Sequence, residues 1–359
     1  MAVGLVLLQH VGERVFPAFQ QLTHSGVLLG QLGVMVFFLC SGFIIPASLE
    51  RGQASDGRGR RLIAFWRGRF FRLFPLYWLS LGAAAWLALS GVATPVQPMT
   101  AGDWLANLSM AQMLVGVPNA LVSYWTLAFE LLFYLGVSVL FALRLNRHSV
   151  ALSLAAAAVC LALALGAGSL MGATPPTGAF CLATMLTGTV FHRWHSRAVS
   201  LRSLMLCVGA VLTSGVALLH AAVVGTPQPP DAPAFLAMLT AWLGAYVLFC
   251  AGIALRRRTV PAPLRRLGVI SYSVYLVQCL VLATVPALPD AWLSSVLWVV
   301  VTLAVSELTY RWVELPAVAL GRRTRPRAYR RLSSTPATLE PGVVPTPRRP
   351  ARLREQVTV

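Results

Sequence analysis

Apolar residues in this chain are gathered into blocks of about 20, separated by short polar stretches, and 20 apolar residues is the length a helix needs to cross a bilayer. The blocks fall at residues 29–49, 73–90, 121–143, 150–170, 179–191, 203–224, 234–255, 269–284 and 292–312. A further apolar stretch, 1–11, holds only half a span. It has no positively charged start and no small-residue cleavage site, so it is not read as a signal peptide. Either the first helix begins late or the true start of the chain lies upstream. The pattern predicts an all-α, polytopic membrane helix bundle of about ten transmembrane helices, the first cut short. The membrane domain is expected to occupy 1–316. Beyond it, 317–359 is basic and proline-rich and is expected to be a disordered cytoplasmic tail.

Charge adds an orientation. All 29 basic residues are arginine, and, with 1–11 counted as the first block, they cluster after the second, fourth, sixth, eighth and tenth. Under the positive-inside rule those ends face the cytosol, both termini are cytoplasmic, and only Arg14 falls outside. The external connectors carry Glu13, Asp103, Asp231 and Asp290 instead. A missed or extra helix would break this alternation. The plasma membrane is the expected location.

Composition excludes other classes. Only 11% of residues are charged and 57% are hydrophobic, against about 25% charged in a soluble domain. The formal charge of +18 does not indicate nucleic-acid binding, because the arginines lie between spans rather than on one soluble face. The six cysteines all fall in predicted spans, and none has metal-ligand spacing, so no metal site is expected. They read as small packing residues.

Few polar groups lie inside the blocks, and buried ionisable groups there are costly enough to be functional candidates. His10 ends the first apolar stretch; it is a candidate general base or an interfacial polar residue. Glu130 lies near the middle of the fourth block and must face other helices or a cavity. Glu307 is expected to pair with a loop arginine. Arg69 and Arg72 are three apart and share a helix face where the membrane meets the cytosol. Two guanidinium forks there suit a phosphorylated ligand, and the alternative is a topology anchor held by lipid phosphates.

Taken together, the motifs resemble those of the acyltransferase-3 family of integral membrane O-acyltransferases. Residues 33–43 (GVMVFFLCSGF) are similar to its GVDLFFVLSGF signature. Arg69-Phe-Phe-Arg72, followed by Pro75, Tyr77 and Trp78, is similar to its R-x-x-R-x-x-P-x-Y-W segment. Trp125 to Glu130 with Phe133 and Tyr134 matches W-S-L-x-x-E-x-x-F-Y, with Thr126 in place of serine. Ser271 to Leu276 resembles a late S-Y-S-L-Y-L-W-H motif, with Gln278 where histidine is common, and Glu314-Leu-Pro316 a closing E-x-P. Met35 stands where the family often has aspartate. The family's first-helix histidine corresponds to His10; its arginine eleven positions earlier would fall before Met1.

The resemblance implies a membrane-embedded O-acyltransferase. It would move an acyl group, an acetyl above all, from acyl-CoA to a hydroxyl of a glycan, a lipid-linked sugar or a secondary metabolite. Catalysis would rest on His10 and Glu130, and the CoA phosphates on Arg69 and Arg72. Ser41, Trp125 and Tyr275 would contact substrate. Acyl-CoA is then a donor substrate, and no permanently bound cofactor is implied. The rival classes are a polytopic transporter or flippase, against which stands the lack of a visible internal repeat, and a non-catalytic membrane scaffold. Pro75 is expected to kink the third helix just inside the membrane.

Overall fold

The computed structural model describes residues 2–24, 28–50, 57–92, 98–169, 177–224 and 232–323. All regular structure among them is helical. The α-helices in chain order are α1 (Ala2–Val15), α2 (Pro17–His24), α3 (Leu29–Glu50), α4 (Arg58–Leu89), α5 (Ala101–Asn107), α6 (Tyr124–Ala142) and α7 (Ser149–Ser169), then α8 (Gly178–His195), α9 (Leu201–Val224), α10 (Ala232–Ala254), α11 (Ala262–Val269), α12 (Ser271–Thr284), α13 (Ala291–Thr309) and α14 (Leu315–Arg323).

Every predicted block has become a helix, but crossing capacity is less uniform than the count of ten. Among the described residues seven helices are long and apolar enough to span a membrane. The α11–α12 pair, bent by 75° at Ile270, makes an eighth if it is one broken span. The two blocks outside that set are α1, of 14 residues, and α8, whose last turn is His-Arg-Trp-His. The seven and the bent pair suit a polytopic bundle in which every backbone group is satisfied within its own segment.

α3 is the axis of the bundle, packed against α1, α4, α6, α8 and α10. It is apolar on every side, as a helix surrounded by others must be. Its first turn has donors with no intrahelical acceptor, and the Gln9 side chain of α1 accepts one of them, the Gly30 N–H. At its other end α3 crosses α8 backbone to backbone. A Cβ on Gly42 would sit 1.8 Å from the Met185 carbonyl oxygen, and one on Gly188 would sit 2.4 Å from that of Leu39. Small residues at a crossing are how membrane helices approach closely.

Two boundaries differ from the sequence reading. The apolar block was expected to begin at 73, yet α4 starts at Arg58 and runs unbroken through Pro75 for 32 residues, about 48 Å. Arg69 and Arg72 therefore sit inside a helix rather than at its edge. Residues 317–323, counted with the expected tail, are helical: α14 continues to Arg323 and seats Gly321 against Phe71 of α4. The rest of that tail, from 324 on, lies outside the described residues, as do Arg51 and Asp231.

Between α13 and α14 the helix widens into a π-turn, Tyr310–Glu314. Pro316 explains its place: without an N–H it cannot bond the carbonyl four residues back, and its ring crowds that carbonyl. Such turns often occur at functional sites. Here the turn ends on a buried carboxylate, Glu314.

Candidate active site

Four helices enclose a cavity of about 260 Å³. α3 gives it one wall, from Val34 through Phe37, Phe38 and Ser41 to Ile45. These residues recur at helical spacing, so the wall is one face of α3, about 16 Å long. α4 contributes Arg69, Arg72 and Leu73; α6 contributes Thr126, Leu127, Glu130 and Tyr134; α12 contributes Ser271, Tyr272 and Tyr275.

Glu130 is the carboxylate of this chamber. Its Oε1 accepts from the Tyr134 hydroxyl, one turn along α6, and from Ser41 Oγ across on α3 at 3.4 Å. Burying a carboxyl group in an apolar bundle is costly unless such donors satisfy it. Tyr134 also lies under Arg69, whose guanidinium is 5.2 Å from the centre of its ring and 5.4 Å from that of Phe65. Arg72, one turn on, lines the same wall. Glu314 Oε2 accepts from Ser273 Oγ at 3.1 Å. Among the described residues neither Arg69 nor Arg72 has a carboxylate within ion-pair distance. Both also line a second cavity, toward α14.

α12 is fastened to its neighbours by its tyrosines. Tyr272 donates to the Leu73 carbonyl of α4 at 2.7 Å. Thr126 gives its only proton to the Ser123 carbonyl at 3.0 Å, so in its 2.7 Å bond with Tyr275 the tyrosine is the donor.

The structure thus gathers Ser41, Arg69, Arg72, Glu130 and Tyr275 around one chamber. Two of the sequence candidates stand outside it. Trp125 is not in the wall; it packs edge-on against Phe38, with ring centres 6.2 Å apart, and against Phe129. His10 is on α1, beyond the end of the cavity opposite the arginines. Its neighbour Gln9 meets Gly30, about one turn of α3 before Val34. Glu307 is paired as expected, with Arg266 bidentate at 3.0 and 2.5 Å and Arg311 at 2.5 Å. Sequence reasoning met Tyr134, Tyr272 and Glu314 only inside motifs and gave none of them a role in the site. Tyr134 had a signal, its position four residues after Glu130. Glu314 had been read only as the end of a motif.

Chemically, the chamber joins an apolar passage to a hydrogen-bonded carboxylate and two cations. It can take an elongated ligand with an anionic end. Comparison with known proteins agrees in kind. The model of an acyltransferase domain, Acyl_transf_3, matches residues 1–311. The exopolysaccharide production protein ExoZ of Rhizobium meliloti (strain 1021) is 36% identical over 110 residues, covering 30% of this chain and 32% of that protein. The acyltransferase MdmB of Streptomyces mycarofaciens is 30% identical over 136 residues, 35% of this chain and 33% of its own length. The matched stretches thus span about a third of the length of these curated relatives. No solved structure matches the chain.

Proposed function

Since the chain belongs to the acyltransferase-3 family of membrane acyltransferases, we propose that it transfers an acyl group, acetyl in the simplest case, from acyl-CoA to a hydroxyl of a glycan, a lipid-linked sugar or a secondary metabolite. The observation that carries the donor assignment is the position of Arg69 and Arg72. They form the boundary between an apolar chamber holding Glu130 and a basic one. A donor with a polyanionic head and a long uncharged arm matches that division. The exopolysaccharide in one relative's name supports a glycan acceptor.

In this reading the phosphates rest on Arg69 and Arg72 at the cytosolic end, with both termini cytoplasmic in the plasma membrane. Guanidinium forks hold phosphate oxygens by charge-assisted hydrogen bonds. The arm lies along the α3 face toward His10, which receives the proton of the acceptor hydroxyl as its oxygen attacks the thioester carbon. The C–O bond forms, the C–S bond breaks, and the proton on His10 passes to the leaving sulfur. General base assistance of this kind is commonly worth about 10²–10⁴-fold. Glu130, held by Tyr134 and Ser41, orients the arm or the acceptor.

The experiment is acyl transfer from radiolabelled acetyl-CoA by the protein in lipid nanodiscs, with release of free CoA thiol followed in parallel. Thiol release coupled to acceptor labelling, abolished in His10→Ala, is the expected result. Acceptor flux across vesicles without thiol release would replace this reading with that of a transporter.

A further inference from the structure

The second cavity, also about 260 Å³, lies between α4 and α14. Arg61, Gly68, Arg69 and Arg72 line it from α4, and Gly321 and Arg322 from α14. Arg61, Gly68 and Arg72 recur at 7 and 4 residues, so they run down one side of α4. Gly68 leaves that side open, since a Cβ there would meet nothing within 4 Å. Gly321 does the reverse. A Cβ on it would come within 2.9 Å of the Phe71 ring, and its absence lets α14 seat closely enough to bring Arg322 to the arginines of α4.

We infer that Arg61 and Arg322 complete, with Arg69 and Arg72, a four-guanidinium pocket for the nucleotide phosphates of the donor, so that α14 is part of the donor site. The inference rests on the acyl-CoA reading above and goes beyond the arginine pair on which that reading stands. Four guanidinium groups line this one small cavity. Each can hold phosphate oxygens by charge-assisted hydrogen bonds, so the lining suits a ligand with several phosphates better than one with a single charge. The adjoining chamber is mainly apolar and meets this one at Arg69 and Arg72. The two cavities therefore divide one ligand into a highly charged end and an uncharged arm.

Anionic lipid headgroups present the same phosphate chemistry, so the test uses nanodiscs of neutral phosphatidylcholine. Affinity and KM are measured for acetyl-CoA and for acetylpantetheine, which lacks every phosphate. Arg61→Gln and Arg322→Gln are each expected to weaken acetyl-CoA by about tenfold and to leave acetylpantetheine as in the unsubstituted protein. Arg322→Lys should recover part of the loss, and the acetylpantetheine arm reports that the variants remain folded. If the variants bind acetyl-CoA as the unsubstituted protein does, the inference is overturned while the donor reading stands. Sensitivity of the variants only to added phosphatidylglycerol would likewise overturn it, in favour of a lipid site. If the unsubstituted protein binds no acetyl-CoA, the donor reading itself fails and takes this inference with it.

Discussion

Thr189 of α8 donates its hydroxyl to the carbonyl of Gly42 in α3, at 3.2 Å. That carbonyl would ordinarily accept from the N–H four residues on, but residue 46 is proline and has none. A helix break is tolerated in a bilayer when a neighbouring helix supplies the missing bond. The contact is possible because α3 and α8 touch through Gly42 and Gly188. It fixes the stretch of α3 that presents Ser41 to Glu130.

Thr189→Val should therefore strand a buried carbonyl. An unsatisfied buried acceptor costs about 1–3 kcal/mol. Thermal unfolding in detergent is expected to shift down by several degrees, with Thr189→Ser retaining most of the stability. Equal melting of the valine and serine variants would show that the bond contributes nothing.

The same crossing predicts the response to added volume. Gly42→Ala would drive its methyl group into the Met185 backbone, which has no flexible end to move aside. Overpacking commonly costs about 1–3 kcal/mol, and a backbone clash places this variant at the upper end or beyond. Gly209→Ala is the control, since its Cβ meets nothing within 4 Å. Loss of folded, membrane-inserted protein for Gly42→Ala alone is expected. Similar yields for both would contradict the close approach.

Tyr134→Phe removes one of the two donors to Glu130 and keeps the ring beneath Arg69. If Glu130 acts in transfer, kcat should fall by about tenfold, the scale of one hydrogen bond to a charged group. The change in donor KM should be smaller, because the aromatic face survives. A variant with unaltered kcat would mean that the orientation of Glu130 does not matter to turnover.

Much of this was legible because a bilayer simplifies the code. Apolar blocks of span length located every long helix among the described residues. The start of α4 was misplaced because hydropathy finds the apolar window, not the helix. Arginine is a good helix former, so the basic stretch before Leu73 simply continued the helix outward. The ordered motifs brought Ser41, Arg69, Arg72, Glu130 and Tyr275 to one chamber. Trp125 fell behind the wall because it sits five residues before Glu130, more than a helical turn, on another side of α6. Glu314 was hidden for a different reason. Its contact with Ser273 depends on a π-turn set by Pro316, and no periodic pattern announces such a turn.

The donor assignment is tested most directly by acetyl-CoA binding to the nanodisc-embedded protein and to the Arg69→Ala/Arg72→Ala double variant, by calorimetry at fixed ionic strength. Loss of two charge-assisted contacts should weaken binding by about a hundredfold or more, with membrane insertion intact. Equal affinity in the double variant would contradict it, and would return the two arginines to the role of anchors at the membrane surface.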